Sequence, residues 1–274
     1  RYDQPVLRDP ESITAADVLF VESTYGDQNN PPISPKQALA DTVNEAYQND
    51  GCVLIPAFAL GRTQLVVYYL KELLEEQKIP TMPVYIDSPM AISVTDLYKK
   101  HFNEHKLRES ELEQSVFDYK GLRYCKTAKQ SKAINDIKKH AIIISASGMC
   151  TGGRILHHLF HRLPNKSDTI LFVGYQAIGT RGRRILEKEE TIRIFGQEVP
   201  HHCQVRKISG LSAHADRSEL LRWLGNFKES PQHVFITHGE PDGAYALAEA
   251  LQEQRNWHPV VPDYLEWHEL LDLV

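Results

Sequence analysis

Short apolar runs alternate with helix-patterned segments along most of this chain, and that alternation is the tightest constraint on its fold. The runs DVLFVE (17–22), CVLIP (52–56), PVYID (83–87), LRYCKT (122–127), AIIISAS (141–147), TILFVG (169–174) and HVFIT (233–237) read as strands. Between them lie helical patterns. SPKQALADTVNEAYQND (34–50) opens with Ser34 as N-cap and Pro35 at the first helical position, and stops at Gly51. Further helices are expected at 61–78, 88–101, 129–139, 151–163, 180–188, 217–227 and 244–254. Strands alternating with helices predict an α/β fold, a parallel-rich sheet covered by helices on both faces. From 191 the texture changes: TIRIFGQEV and HCQVRKIS read as consecutive antiparallel strands, and a last strand is expected near HPVVP. The charged stretch 101–121 reads as short helices and loop.

At 274 residues the chain can bury one large core or two modest ones. Its net charge of −5 supplies no global basic field, so a polyanion site has to be built locally. No apolar run approaches the roughly 18 residues that cross a membrane, and no signal-peptide pattern opens the chain. Four cysteines without CxxC spacing predict free thiols and a cytoplasmic, reducing setting.

Open parallel sheets bind ligands beyond the carboxyl ends of their strands, and polar groups recur there. Glu22 closes VLFVE, SGMCTGG (147–153) follows AIIISA, His214 follows RKISGLSA, and His238 follows VFIT. SGMCTGG is either an anion-holding turn with exposed backbone N–H groups or a tight connection that needs its glycines sterically. GYQAIGTRGRR (174–184) is either a phosphate contact or a solvated basic face. Arg62, in the first turn of its helix, could reach a phosphate or pair with a carboxylate. His157 and His161 have the i, i+4 spacing of zinc chelation, but lack the adjacent Glu of HExxH and a third ligand. His101 and His105 read as solvated, and Asp216 as the N-cap of the 217–227 helix.

Seven blocks, VESTYGD, IPAFALGRTQ, VYIDSPMA, SASGMCTGGR, GYQAIGTRGR, GLSAHAD and THGE, taken in that order, resemble the β-CASP branch of the metallo-β-lactamase nucleases, the likeness being to its RNA-processing members. The resemblance covers almost the whole chain. It implies a β-CASP domain (35–190) within a metallo-β-lactamase αββα sandwich, here represented by 1–34 and 191–274, with RNA entering between the two. Carried over motif by motif, Glu22 and His214 become a catalytic pair and His238 a zinc ligand. Arg62, Ser147, Gly148, Thr151, Gly152, Gly153, Thr180, Arg183 and Ser212 become phosphate contacts. A histidine at the position of His238 is the form that RNA-cleaving members carry, whereas DNA-repair members usually have valine. The implied activity is zinc-dependent hydrolysis of RNA phosphodiesters, endonucleolytic or 5′→3′ exonucleolytic, in which two zinc ions serve the reaction. A noncatalytic RNA-binding scaffold and a DNA nuclease of the same superfamily are the alternatives. The family's HxHxDH motif is missing, and the resemblance places it upstream of Arg1 with most other zinc ligands. The chain is therefore expected to be a C-terminal portion, inactive alone. The partner is RNA and not a membrane, and the 101–121 stretch is a candidate homodimer interface.

Overall fold

Strands form here where β-branched and leucine side chains can be buried on both faces of one sheet. The structure, a computed structural model, describes residues 1–107 and 116–270. Its chain divides into two units, one of residues 5–7 and 32–212, the other of 1–4, 8–31 and the residues from 213 on.

The larger unit is built on six parallel strands: β2 (Val53–Pro56), β3 (Val84–Ile86), β4 (Leu122–Tyr124), β5 (Ile142–Ser145), β6 (Thr169–Phe172) and β9 (Gln204–Lys207). Their order is β4-β3-β5-β2-β6-β9. Alternate side chains go to opposite faces. Val53, Ile55, Ile142 and Ile144 pack with α1 (Pro35–Gln48) and α2 (Arg62–Glu75). Leu54, Ile143, Ile170 and Phe172 pack with α5 (Ile155–Arg162), α6 (Arg181–Leu186) and the antiparallel hairpin β7 (Thr191–Ile194)–β8 (Gln197–Pro200). α3 (Pro89–Lys100) and α4 (Ala128–Ile134) complete the unit. Each fully buried Leu, Ile or Val contributes roughly 1.5–3 kcal/mol, which is why these strands read as continuous apolar runs.

The smaller unit pairs β1 (Val18–Glu22) in parallel with β10 (His233–Thr237) in the register Glu22↔Thr237. α7 (Arg217–Leu224) and α8 (Pro241–Arg255) cover one face through Leu220, Leu224, Leu247 and Leu251. Asp216 caps α7: its side chain accepts from the Glu219 amide, and the Glu219 carboxylate accepts from the Asp216 amide.

Several expectations change. β9 was expected to run antiparallel, but it pairs in parallel with β6, because the β7–β8 hairpin forms within TIRIFGQEVP and turns the chain twice. The sheet thereby draws 191–212 into the larger unit, so the units divide at 212/213, not near 190. HPVVP forms a single bridge, Phe235↔Val260, in place of a strand. The helix expected from residue 151 starts at Ile155, since the chain at Gly153 takes φ +83° and closes back on the preceding loop. His105 is buried, not solvated: it stacks on Tyr98 and its Nε2 lies 3.1 Å from the Tyr98 carbonyl. Residues 108–115 of the expected 101–121 interface lie outside the described residues. The four cysteines are buried and free, as expected, and among the described residues no helix is long and apolar enough to cross a membrane.

Candidate metal and catalytic site

Parallel pairing of β1 and β10 brings their carboxyl ends side by side, which sets Glu22 beside the Thr237–His238 turn. His238 adopts φ +53°, the left-handed region, and ends the strand there. The turn is packed tightly. Ser23, fully buried, donates its hydroxyl to the Thr237 carbonyl at 2.9 Å. A Cβ on Gly239 would stand 2.3 Å from Ser23 Oγ and 2.6 Å from its carbonyl oxygen. Gly239→Ala is therefore expected to cost about 1–3 kcal/mol by overpacking and to displace His238. Thermal melting and metal titration of the variant check both effects.

His214 arrives by a different route. It was expected at a strand tip, but it lies in the loop that enters α7, seven positions past the end of β9 and two before the capping Asp216. Asp216 Oδ2 also accepts from the backbone and side chain of Asn30, at 2.9 and 2.8 Å, tying this loop to the one after β1. Burial would raise the Asp216 carboxyl pKa, but the hydrogen bonds from Asn30, Glu219 and Ser218 outweigh it and hold the group below its ordinary value.

Glu22, His214 and His238 converge, with one potential ligand atom from each within 4.8 Å of the others. His214 Nδ1 lies 3.2 Å from Glu22 Oε1, and the two imidazole rings stack with centroids 5.3 Å apart. Glu22 Oε2 accepts from the Thr24 amide at 2.9 Å. Desolvation pushes the Glu22 pKa up, yet the hydrogen bonds from His214 and Thr24 bring it below the usual carboxylate value, so Glu22 is ionised at neutral pH. Thr24, not singled out in the sequence, is the link among the three: its hydroxyl donates to the His238 carbonyl at 3.1 Å and lies 3.3 Å from Nδ1 of both histidines. The signal available was a hydroxyl residue two places after the strand-ending acid.

One carboxylate and two imidazoles are a donor set that zinc takes. Tetrahedral ligands at zinc distance stand roughly 3.4 Å apart, so the observed spread suits an ion after modest side-chain closure. Glu22 and His214 already engage each other, whereas His238 Nδ1 meets only a hydroxyl. His238 is thus the residue best placed to ligate.

The expected phosphate contacts lie, Ser212 included, in the larger unit and are more internally committed than the sequence suggests. Ser147 Oγ accepts from the amides of Thr151 (3.0 Å) and Gly152 (3.3 Å), which directs those N–H groups inward. Gly148 lies under the Phe58 ring, where a Cβ would approach to 2.8 Å, and Gly153 lies against the Ala146 carbonyl. Only Gly152 opens onto free space, beside the exposed Thr151. Arg62 is buried and donates to the Val173 carbonyl. Thr180 caps α6 by accepting from the Arg183 amide, and Arg183 pairs with Glu187 at 2.6 Å. Ser212 is buried.

The sequence also left a buried network unread. Asp87, fully buried at the end of β3, accepts from Arg154 (2.7 Å), His158 (2.7 Å) and Ser131 (2.6 Å), and His158 Nδ1 meets Asn135 at 2.9 Å. In HHLFH the i, i+4 spacing belongs to His157 and His161, and nothing local marks His158 as the buried histidine of the three.

Comparison with known proteins bears on this geometry. The family model described as the Beta-Casp domain matches residues 63–185, and that of the Zn-dependent metallo-hydrolase RNA specificity domain matches 198–262. Ribonuclease TTHA0252 of Thermus thermophilus is 34% identical over 253 residues, covering 91% of this chain and 57% of the relative. The transcription termination factor FttA of Pyrococcus abyssi is 29% identical over 262 residues, 91% of this chain and 40% of the relative. An RNase J-like protein of Methanocaldococcus jannaschii is 32% identical over 235 residues, 83% of this chain and 53% of the relative. The chain thus spans about half the length of the curated relatives it matches.

Proposed function

The chain belongs to the β-CASP branch of the metallo-β-lactamase ribonucleases, and from that membership we propose that it supplies one part of a zinc-dependent RNA phosphodiester hydrolase. The observation that carries this reading is the convergence of Glu22, His214 and His238 at two adjacent strand ends and a capped loop. His238 would hold zinc through a neutral imidazole nitrogen, and zinc bound there would supply an activated water and charge stabilisation at the scissile phosphate. The ionised Glu22 fixes the ring of His214 through Nδ1, which leaves Nε2 as the nitrogen that delivers a proton to the departing oxygen. RNA phosphates are held by the exposed Thr151 hydroxyl, with the open space over Gly152 allowing close approach and Arg183 adding charge without reading bases. Endonucleolytic and 5′→3′ exonucleolytic cleavage both draw on this chemistry.

The three donors fall short of two ions: no HxH occurs in residues 1–274, and a dinuclear site needs further ligands to retain metal. The expected result for the purified 274-residue chain is less than one tightly held zinc per molecule by plasma mass spectrometry, and no cleavage of an oligoribonucleotide. Two retained ions with multiple-turnover ribonuclease activity would overturn that division of labour. The activity itself is tested in a polypeptide that joins residues 1–274 to a lactamase segment with the remaining donors. Hydrolysis of RNA in preference to DNA of the same sequence is expected, abolished by chelation and restored by zinc.

A further inference from the structure

Charge is unevenly spread in this acidic chain. From Cys125 to Lys166 it holds eight Lys or Arg and a single acid, Asp136. The fold collects part of that excess around one cavity of about 610 Å³ in the larger unit, lined by residues of α4, α5 and the segments that flank them. Lys129, Lys132, Arg154, His157 and His161 line it, with Asp136 the one acid on its wall. Several half-buried cations elsewhere are ion-paired: Lys36 with Glu72 and Glu76, Lys71 with Glu75, Arg184 with Glu189, Arg206 with Glu45. Lys129 and Lys132 have no such partner among the described residues.

We propose that this cavity binds the phosphates of the RNA backbone, as a second anchoring site apart from Glu22, His214 and His238. A volume of this size accommodates a nucleotide, and unneutralised cations in a concavity concentrate a polyanion locally even where net charge is negative. Arg154 is rigidly held: NH1 donates to Asp87 and the Cys125 carbonyl, and NH2 to the Lys126 carbonyl. Its charge is matched by Asp87 at 2.7 Å, so Arg154 shapes the wall while Lys129 and Lys132 supply the unpaired charge. His161 is held below its ordinary pKa by burial and then by the nearby charges of His158, Arg162, Lys138 and His157, which fits a positive local field. Metal does not explain the site, because the one group of potential ligands found among the described residues is Glu22, His214 and His238. The proposal rests on the reading of the chain as an RNA-binding ribonuclease part.

The test is fluorescence anisotropy of a labelled 20-nucleotide oligouridylate with the 274-residue chain, across a salt series. Lys129→Glu/Lys132→Glu alters two exposed positions; Lys78→Glu/Lys100→Glu makes the same change in net charge at exposed positions outside the cavity lining. The cavity variant is expected to bind about tenfold more weakly at 0.1 M salt, and to lose about 1.4 from the slope of log K against log salt, some 0.7 per lost phosphate contact. The control is expected to keep the wild-type slope, and both are expected to keep the wild-type melting temperature. Equal losses in both variants, or none in the cavity variant, would overturn the second site and leave the RNA reading standing. Failure of the wild-type chain to bind the oligonucleotide would overturn both. Adenosine monophosphate serves as the competing arm: displacement of RNA at micromolar concentration, abolished by the cavity change, would assign the site to free nucleotides.

Discussion

Replacing Asp87 by alanine is expected to destabilise the larger unit by about 3–5 kcal/mol, the cost of removing one partner from a buried ion pair. Asp87 has no exposed surface and joins three elements, accepting from Ser131 of α4, from Arg154 at the start of α5 and from His158 within α5. Its loss leaves the buried His158 imidazole and the part-exposed Arg154 guanidinium without their carboxylate, and among the described residues neither pairs with another. Asp87→Asn keeps the volume and part of the hydrogen bonding, so about half that loss is expected. Urea unfolding followed by circular dichroism reads both. The same network predicts an acid dependence. Burial alone would raise the Asp87 pKa, but bonds from His158, Ser131 and Arg154 bring it below 3.8, its ordinary value. Because the folded pKa is the lower one, the unfolded chain binds more protons as pH falls, so the stabilisation is complete above about pH 4 and drains away as pH drops through the folded value. The gap in stability between wild type and Asp87→Asn should narrow below pH 4 and stay constant from pH 5 to 7. A constant gap down to pH 2 would mean that Asp87 is not held ionised by its partners.

That network marks where the sequence stopped being legible. Five of the six parallel strands could be read, most plainly Val53–Pro56, Ile142–Ser145 and Thr169–Phe172, which are buried on both faces and so carry unbroken apolar patterns. The direction of β9 could not, since three of the four residues of QVRK are polar and its partner β6 is chosen by a hairpin whose two strands share one apparent run. Glu22 and His238 were legible because strand ends place them directly. His214 was placed at the wrong kind of position: a capping box that starts seventeen residues before β10 positions it, and local sequence shows the cap but not what the cap aims. The phosphate contacts were read from glycine content, which signals close approach of backbone without saying to what. At Gly148 the neighbour is the Phe58 ring and at Gly153 the Ala146 carbonyl, so steric need accounts for both.

His238→Ala and His214→Ala are expected to cost similar activity for different reasons, and the difference decides which residue does what. In a polypeptide carrying the complete donor set, His214→Ala should lower kcat by about 10²–10⁴, the usual worth of a general acid, while zinc content stays at the wild-type level. His238→Ala should lower activity by at least as much and lower zinc affinity together with it. The structure gives the reason: His214 Nδ1 is engaged by Glu22 at 3.2 Å, whereas His238 Nδ1 has only the Thr24 hydroxyl at 3.3 Å to displace. Glu22→Gln separates the roles further. It keeps a hydrogen-bond acceptor for His214 but removes the carboxylate charge that fixes the ring, so kcat is expected to fall while zinc content stays at the wild-type level. A substrate whose leaving group needs no proton, such as a p-nitrophenyl phosphodiester, should recover most of the rate lost in His214→Ala and none of that lost in His238→Ala. Zinc loss in His214→Ala equal to that in His238→Ala would instead make all three side chains ligands, an arrangement that their spread of 4.8 Å also permits.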